Sequence, residues 1–91
     1  MQSHFAVTLR ISVHDAPNGS TIRVEGRLER RGVSELQGVL EASPRPVHLD
    51  LSNLLSLDAE GLAALRRLRQ AGFDMLGTPP ALASKILEDA P

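Results

Sequence analysis

The stretch that decides the fold spans residues 47–68 and reads Val-His-Leu-Asp-Leu-Ser-Asn-Leu-Leu-Ser-Leu-Asp-Ala-Glu-Gly-Leu-Ala-Ala-Leu-Arg-Arg-Leu. Apolar residues at every second position of its first part predict a buried strand over residues 47–51. A short connection follows, and then a helix that opens at Asp58, carries leucines at helical spacing and ends at Gly72. A helix start exposes unpaired N–H groups and the positive end of the helix dipole, and here the chain supplies its own carboxylates, Asp58 and Glu60.

The flanking segments predict further strands and helices. Strict alternation over residues 5–13 predicts a half-buried strand, and the turn-forming residues 15–20, strongest at Asn18-Gly19, join it to a second strand as a hairpin. A helical face over residues 33–40 ends near the Ser-Pro-Arg-Pro sequence of residues 43–46, and residues 73–76 form a short strand. Thr78 is predicted to cap a third helix with Pro79 in its first turn. The residues that this third helix is predicted to bury are Leu82, Ile86 and Leu87.

The order of these elements is β-β-α-β-α-β-α, which predicts an α/β fold. Strands joined through helices lie parallel, and the hairpin adds the first strand antiparallel. We therefore expect a single domain over residues 1–91, with a small mixed four-stranded sheet and helices mainly on one face.

Composition excludes several classes of function. The 91 residues carry a formal net charge of −1 and only two aromatic residues, which disfavours nucleic-acid binding. Because the chain has no cysteine, disulfides, thiolate catalysis and cysteine metal sites are excluded. The sequence shows no secretory signal and no apolar run of membrane-spanning length, so we predict a cytoplasmic protein without membrane insertion.

Four segments carry a resemblance to a known family. They are Ile22-Arg-Val-Glu-Gly-Arg-Leu-Glu29, Val47-His-Leu-Asp-Leu-Ser52, Leu57-Asp-Ala-Glu-Gly-Leu62 and Leu76-Gly-Thr-Pro-Pro-Ala-Leu82. In this order they resemble the STAS domain, a family that includes the bacterial anti-sigma-factor antagonists and the cytoplasmic tails of sulfate transporters. Because the family usually continues with another strand and helix, the chain resembles a short form of it.

The start of the second helix departs from the antagonist pattern. In the antagonists this helix opens with Asp-Ser-Ser-Gly, and a partner kinase that is also an anti-sigma factor phosphorylates the second serine. Here the corresponding residues are Asp58-Ala59-Glu60-Gly61, so the phosphorylation switch cannot operate at that position. Glu60 either stabilises the helix start, by roughly 0.3–1 kcal/mol, or places a permanent charge at a partner surface, and the two roles are compatible.

The resemblance predicts a non-enzymatic, regulatory protein-interaction module without a cofactor. Its partner would be an anti-sigma kinase-like regulator, bound through the start of the second helix and the loop before the first. The predicted partner-binding residues are Arg27, Glu29, Asp58, Ala59, Glu60, Gly61 and Leu62. The first alternative is a STAS subunit of a lipid-transport ABC complex that contacts the ATPase subunit. The second is a small-molecule or nucleotide-binding domain, which the absence of a glycine-rich loop disfavours.

The other candidate residues give weaker indications of a functional site. Asp58 and Glu60 are two apart on a helix and do not face each other, so a helix cap at Asp58 is a better interpretation than an acid–base pair. The three histidines are isolated in sequence, which disfavours a metal site. Ser52 and Ser56 remain candidate modification sites, and a second copy of the chain, forming a homodimer, is a candidate cover for apolar residues near the C-terminus.

Overall fold

The computed structural model describes residues 9–87, which form five strands and three helices. The strands are β1 (Leu9–Ala16), β2 (Gly19–Leu28), β3 (Val47–Asp50), β4 (Leu54–Leu57) and β5 (Asp74–Leu76). The helices are α1 (Arg30–Ala42), α2 (Ala59–Gln70) and α3 (Pro80–Leu87). The predicted α/β class is confirmed. The predicted first strand began at Phe5, and its residues 5–8 lie outside the described range.

The sheet is mixed, as predicted, and β2 is its central strand. β1 pairs with β2 antiparallel, with Ala16 opposite Gly19, so the hairpin loop is Pro17-Asn18. The first half of β2 pairs parallel with β3, and β3 pairs parallel with β5. The last residues of β2 pair parallel with β4. β3 and β4 therefore occupy successive positions along the same side of β2.

The sheet has five strands rather than the predicted four, because residues 54–57 form β4. The sequence pattern had assigned these residues to the connection between the third strand and the second helix. A turn at Ser52-Asn53 interrupts the pairing, and the Asp50 side chain accepts the Ser52 N–H at 3.0 Å within it. After this turn the chain returns to β2, where the Gly26 N–H donates to the Asn53 carbonyl at 3.1 Å.

One core cluster unites the sheet with all three helices. It contains alternate residues of β2 and β3, one residue after β3, one of β4 and residues of each helix. These are Ile22, Val24, Leu28, Leu36, Leu40, Val47, Leu49, Leu51, Leu54, Leu65, Leu82 and Ile86. Because the helices share this cluster, they cover the same face of the sheet, as predicted. The opposite face carries the polar residues of the alternating strands.

The helix ends agree with the sequence pattern for α2 and differ for α3. α2 ends in a Schellman motif at Gly72, whose φ is +98°: the Phe73 N–H donates to the Leu68 carbonyl at 3.1 Å. α3 begins at Pro80, one residue later than predicted, and the Pro79 carbonyl accepts its first helical hydrogen bonds. The prediction that Leu87 is buried is wrong, since it is 53% exposed.

Candidate functional site

A single carboxylate, that of Asp58, joins the starts of α1 and α2. Its Oδ1 accepts the Gly61 N–H at 2.7 Å, which confirms Asp58 as the cap of α2. Its Oδ2 accepts the N–H of Arg30, the first residue of α1, at 3.0 Å. α1 has no side-chain cap of its own and no acidic residue in its first turn. Asp58 therefore binds the starts of both helices, at the carboxyl ends of β2 and β4.

Gly61 brings α2 into direct contact with the end of β2. Its backbone is buried, and a Cβ atom at this position would overlap the Leu28 carbonyl oxygen. The same carbonyl accepts the Asp58 N–H at 3.3 Å. Because only glycine permits this approach, Gly61 fixes the position of the helix start rather than offering a side chain to a partner.

Three of the other predicted residues lie on the first turns of α2 and differ in exposure. Ala59 and Glu60 are exposed, while Leu62 is half-buried and contacts the core cluster. Glu60 forms no ion pair within residues 9–87, where the ion pairs all involve other carboxylates. The structure therefore presents Glu60 to solvent directly beside the capped helix start.

Arg27 and Glu29 meet Asp58 at a shallow cavity of about 440 Å³. Both side chains are exposed, and neither forms an ion pair within the described part of the chain. The remaining lining residues are Leu9, Arg30, Arg31, Gly32 and Glu35. The structure thus brings together Arg27, Glu29 and Asp58, with Glu60 two residues further along, at the carboxyl ends of β2 and β4. We call this set, with Ala59, the α2-start surface.

Hydrogen bonds to Asp58 and Asp50 alter their acidity. The Gly61 N–H lowers the pKa of Asp58 below its ordinary value, with a smaller contribution from the Arg30 N–H. The Ser52 side chain and N–H, followed by the Arg23 charge, lower the pKa of Asp50. Both groups therefore stay ionised well below neutral pH.

The candidate modification sites Ser52 and Ser56 have different surroundings. Ser52 is exposed, and its hydroxyl donates to the Asp50 carboxylate in a short hydrogen bond. Ser56 is half-buried in β4, opposite Arg27. A phosphate on Ser52 would be repelled by the adjacent Asp50 charge, so the surroundings of Ser52 disfavour this site. Modification of either serine stays a prediction.

Two contacts near the helices escaped the sequence analysis. The Arg66 guanidinium donates to the Lys85 carbonyl in α3 through Nε at 3.1 Å and Nη2 at 2.7 Å, so this residue ties α2 to α3. The bond from the Arg30 N–H to Asp58 was also missed, because no spacing rule relates residues 28 positions apart. An Asp at a helix cap indicates only the bonds of its own helix.

No group of three or more histidine or carboxylate side chains within residues 9–87 is placed to hold a metal ion. Over the same range, no helix is long and apolar enough to cross a membrane.

The chain matches a model of a known protein family. A family model described as "Mlab, STAS domain" matches residues 11–85, which covers most of the chain and includes the whole α2-start surface. The chain belongs to the STAS domain family. No curated protein matches it. Membership supports a general STAS-type role in protein interaction or regulation, and STAS domains are generally non-enzymatic.

Proposed function

We propose that this STAS domain is a regulatory protein-interaction module that binds its partner through the α2-start surface, with Glu60 as a fixed negative charge. The observation that supports the proposal is the contrast within four residues of chain. The Asp58 carboxylate accepts hydrogen bonds and Gly61 packs against the β2 backbone, while Ala59 and Glu60 between them are exposed. The fold therefore holds an available charge in a fixed position.

A rigid setting favours recognition because little conformational freedom is lost on binding. The Asp58 carboxylate accepts hydrogen bonds from both helix starts, and Gly61 lets α2 pack closely against the β2 backbone. Arg27 and Glu29 line a cavity together with Asp58, the cap two residues before Glu60, so a partner that covers this helix start can contact all three charges. This mixture of charges gives the surface a polarity that a partner can match.

The partner class follows from the antagonist resemblance. An anti-sigma kinase-like regulator would find the charge of Glu60 where the antagonists carry a regulatory phosphate. A carboxylate carries one charge, against about −1.5 to −2 for phosphoserine, so Glu60 imitates the phosphorylated state in part. The alternative partner is the ATPase subunit of a lipid-transport ABC complex, and the small-molecule alternative requires no protein partner.

The test is purification of the full chain from its native cell, with identification of what accompanies it by mass spectrometry. Wild-type, Glu60→Lys and Glu41→Lys chains serve as parallel baits, because Glu41 is exposed near the opposite end of α1. We expect one protein to accompany the wild-type and Glu41→Lys chains and to be lost with Glu60→Lys. A bound metabolite without a protein would contradict the proposal, and so would a protein retained equally by all three baits.

A further inference from the structure

The most exposed large apolar side chain of the described residues is that of Leu55, at 73%. It lies in β4, between the buried Leu54 and the half-buried Ser56, and three residues before the cap of α2. At a strand rise of ~3.3 Å per residue, the backbone of Leu55 is within about 10 Å of Asp58. The backbone of Leu55 therefore lies close to the α2-start surface.

A β-bulge places Leu55 in solvent. Gly26 pairs with Leu54 and the next residue, Arg27, pairs with Ser56, so Leu55 is an extra residue without a partner in β2. The bulge is accommodated by Gly26, whose φ is +89°. Bulges commonly turn a side chain away from its regular position next to functional sites. Here the bulge sets Leu55 next to Arg27, across the ladder between β2 and β4.

Protection of a sheet edge is the competing explanation for this bulge. β4 pairs only with β2, and a bulge can prevent an edge strand from pairing with another chain. Edge protection is served by a charged residue or proline, and an exposed leucine works against it. The identity of the residue therefore favours a contact role over edge protection.

We propose that Leu55 is the apolar anchor of the partner-binding surface, a role that rests on the proposed function and refines it. Arg27 on β2 pairs with Ser56, the residue after Leu55, and Glu60 follows Leu55 by five residues of chain; neither charge forms an ion pair within residues 9–87. The matching partner is a protein with an apolar pocket that has an acidic side chain at one rim and a basic one at the other. Apolar anchors that fill such pockets dominate the binding energy of many interfaces.

Site-specific photo-crosslinking in the native cell tests the contact directly. A photo-reactive amino acid is placed in the full chain at position 55, at position 59 on the α2-start surface, or at position 76. Leu76 is the control, since it is 48% exposed but lies on β5, the strand at another edge of the sheet. We expect positions 55 and 59 to capture the same protein, identified by mass spectrometry, and position 76 to capture none of it.

The two negative results have different meanings. Capture from position 59 without capture from 55 would overturn the role of Leu55 and leave the proposed function standing. Absence of capture from both positions would contradict both proposals.

The captured protein, once purified, gives the energetic test by calorimetry. Leu55→Ser should weaken binding more than about tenfold, or roughly 1.4 kcal/mol, while Leu55→Met should retain most of the affinity. Leu76→Ser should stay within about twofold of the wild type. Because Leu55 is exposed, its replacement by serine should leave the melting temperature unchanged. Equal affinities for Leu55→Ser and the wild type would overturn the proposal.

Discussion

The charged residues of the open sheet face and those of the α2-start surface are arranged in opposite ways. Across the sheet, Arg10 lies 3.9 Å from Glu25, Arg23 lies 3.5 Å from Asp50 and His48 lies 3.1 Å from Asp74. These three contacts join neighbouring strands: the two arginine pairs match positive with negative charges, and His48 forms a hydrogen bond with Asp74. At the α2-start surface, Arg27, Glu29 and Glu60 form no ion pair within the described residues.

This difference in ion pairing indicates which of the two polar surfaces is available to a partner. Charges that already pair across strands gain little from a new contact, because an existing pair must first be broken. Charges that have no ion pair, such as those near the start of α2, can pair with a partner's charges without first breaking an existing pair. The open sheet face is therefore interpreted as a solvated face, and the α2-start surface as the recognition surface.

The largest expected effect is on stability and comes from Gly61, the glycine that lets α2 pack against β2. Gly61→Ala should lower the free energy of unfolding by about 1–3 kcal/mol, because the added Cβ overlaps the Leu28 carbonyl and displaces the helix start. Denaturant unfolding measures the loss. Gly38→Ala is the matched control, since nothing lies within 4 Å of its added Cβ, and it should raise stability by about 0.5–1 kcal/mol. A Gly61→Ala chain as stable as the wild type would show that the close approach is not needed.

The next effect concerns Asp58 and depends on pH. Asp58→Ala deprives both the Gly61 and Arg30 N–H groups of their acceptor, whereas Asp58→Asn retains one acceptor oxygen, so the alanine variant should melt at a lower temperature than the asparagine variant. The folded-state pKa of Asp58 is lowered, so its contribution to stability is present above the unfolded pKa of about 3.9 and is lost as the pH falls through the folded value.

Removal of this group should flatten the pH dependence of stability. Between about pH 5 and pH 2, the free energy of unfolding of Asp58→Asn should fall less steeply than that of the wild type. The wild type retains a slope from Asp50 as well, so the expected result is a reduced slope rather than none. Identical slopes in the two chains would mean that folding does not lower the pKa of Asp58.

A smaller effect is expected on the open sheet face. Arg23→Gln removes the pair with Asp50, and exposed pairs contribute about 0–1 kcal/mol. The same variant should leave partner affinity within about twofold of the wild type. Chemical denaturation and calorimetry measure the two quantities. A large loss of affinity with Arg23→Gln would show that the open sheet face also binds the partner, and would contradict the difference drawn between the two surfaces.

The sequence predicted those parts of the molecule that depend on local rules. The Asp58 cap, the end of α2 at Gly72 and the alternating burial of β2 each follow from a short pattern, and each is confirmed. β4 was missed because its four residues follow a turn and take their register from β2, which is distant in sequence. The second bond of Asp58 was missed for the same reason. Helical periodicity predicted burial for Leu87, which is exposed, and the homodimer that would cover Leu76 and Leu87 stays a prediction.

The measurement that tests the central claim most directly is the affinity of the identified partner for Glu60 variants. Calorimetry compares Glu60→Gln and Glu60→Ser with Glu41→Gln, an exposed glutamate near the far end of α1. Thermal melts run alongside, because loss of the first-turn charge should lower stability by no more than about 1 kcal/mol. The account predicts that both Glu60 variants shift the affinity more than about tenfold, roughly 1.4 kcal/mol, and that Glu41→Gln does not. Unchanged affinity in both Glu60 variants would contradict it and reduce Glu60 to a residue that stabilises its helix.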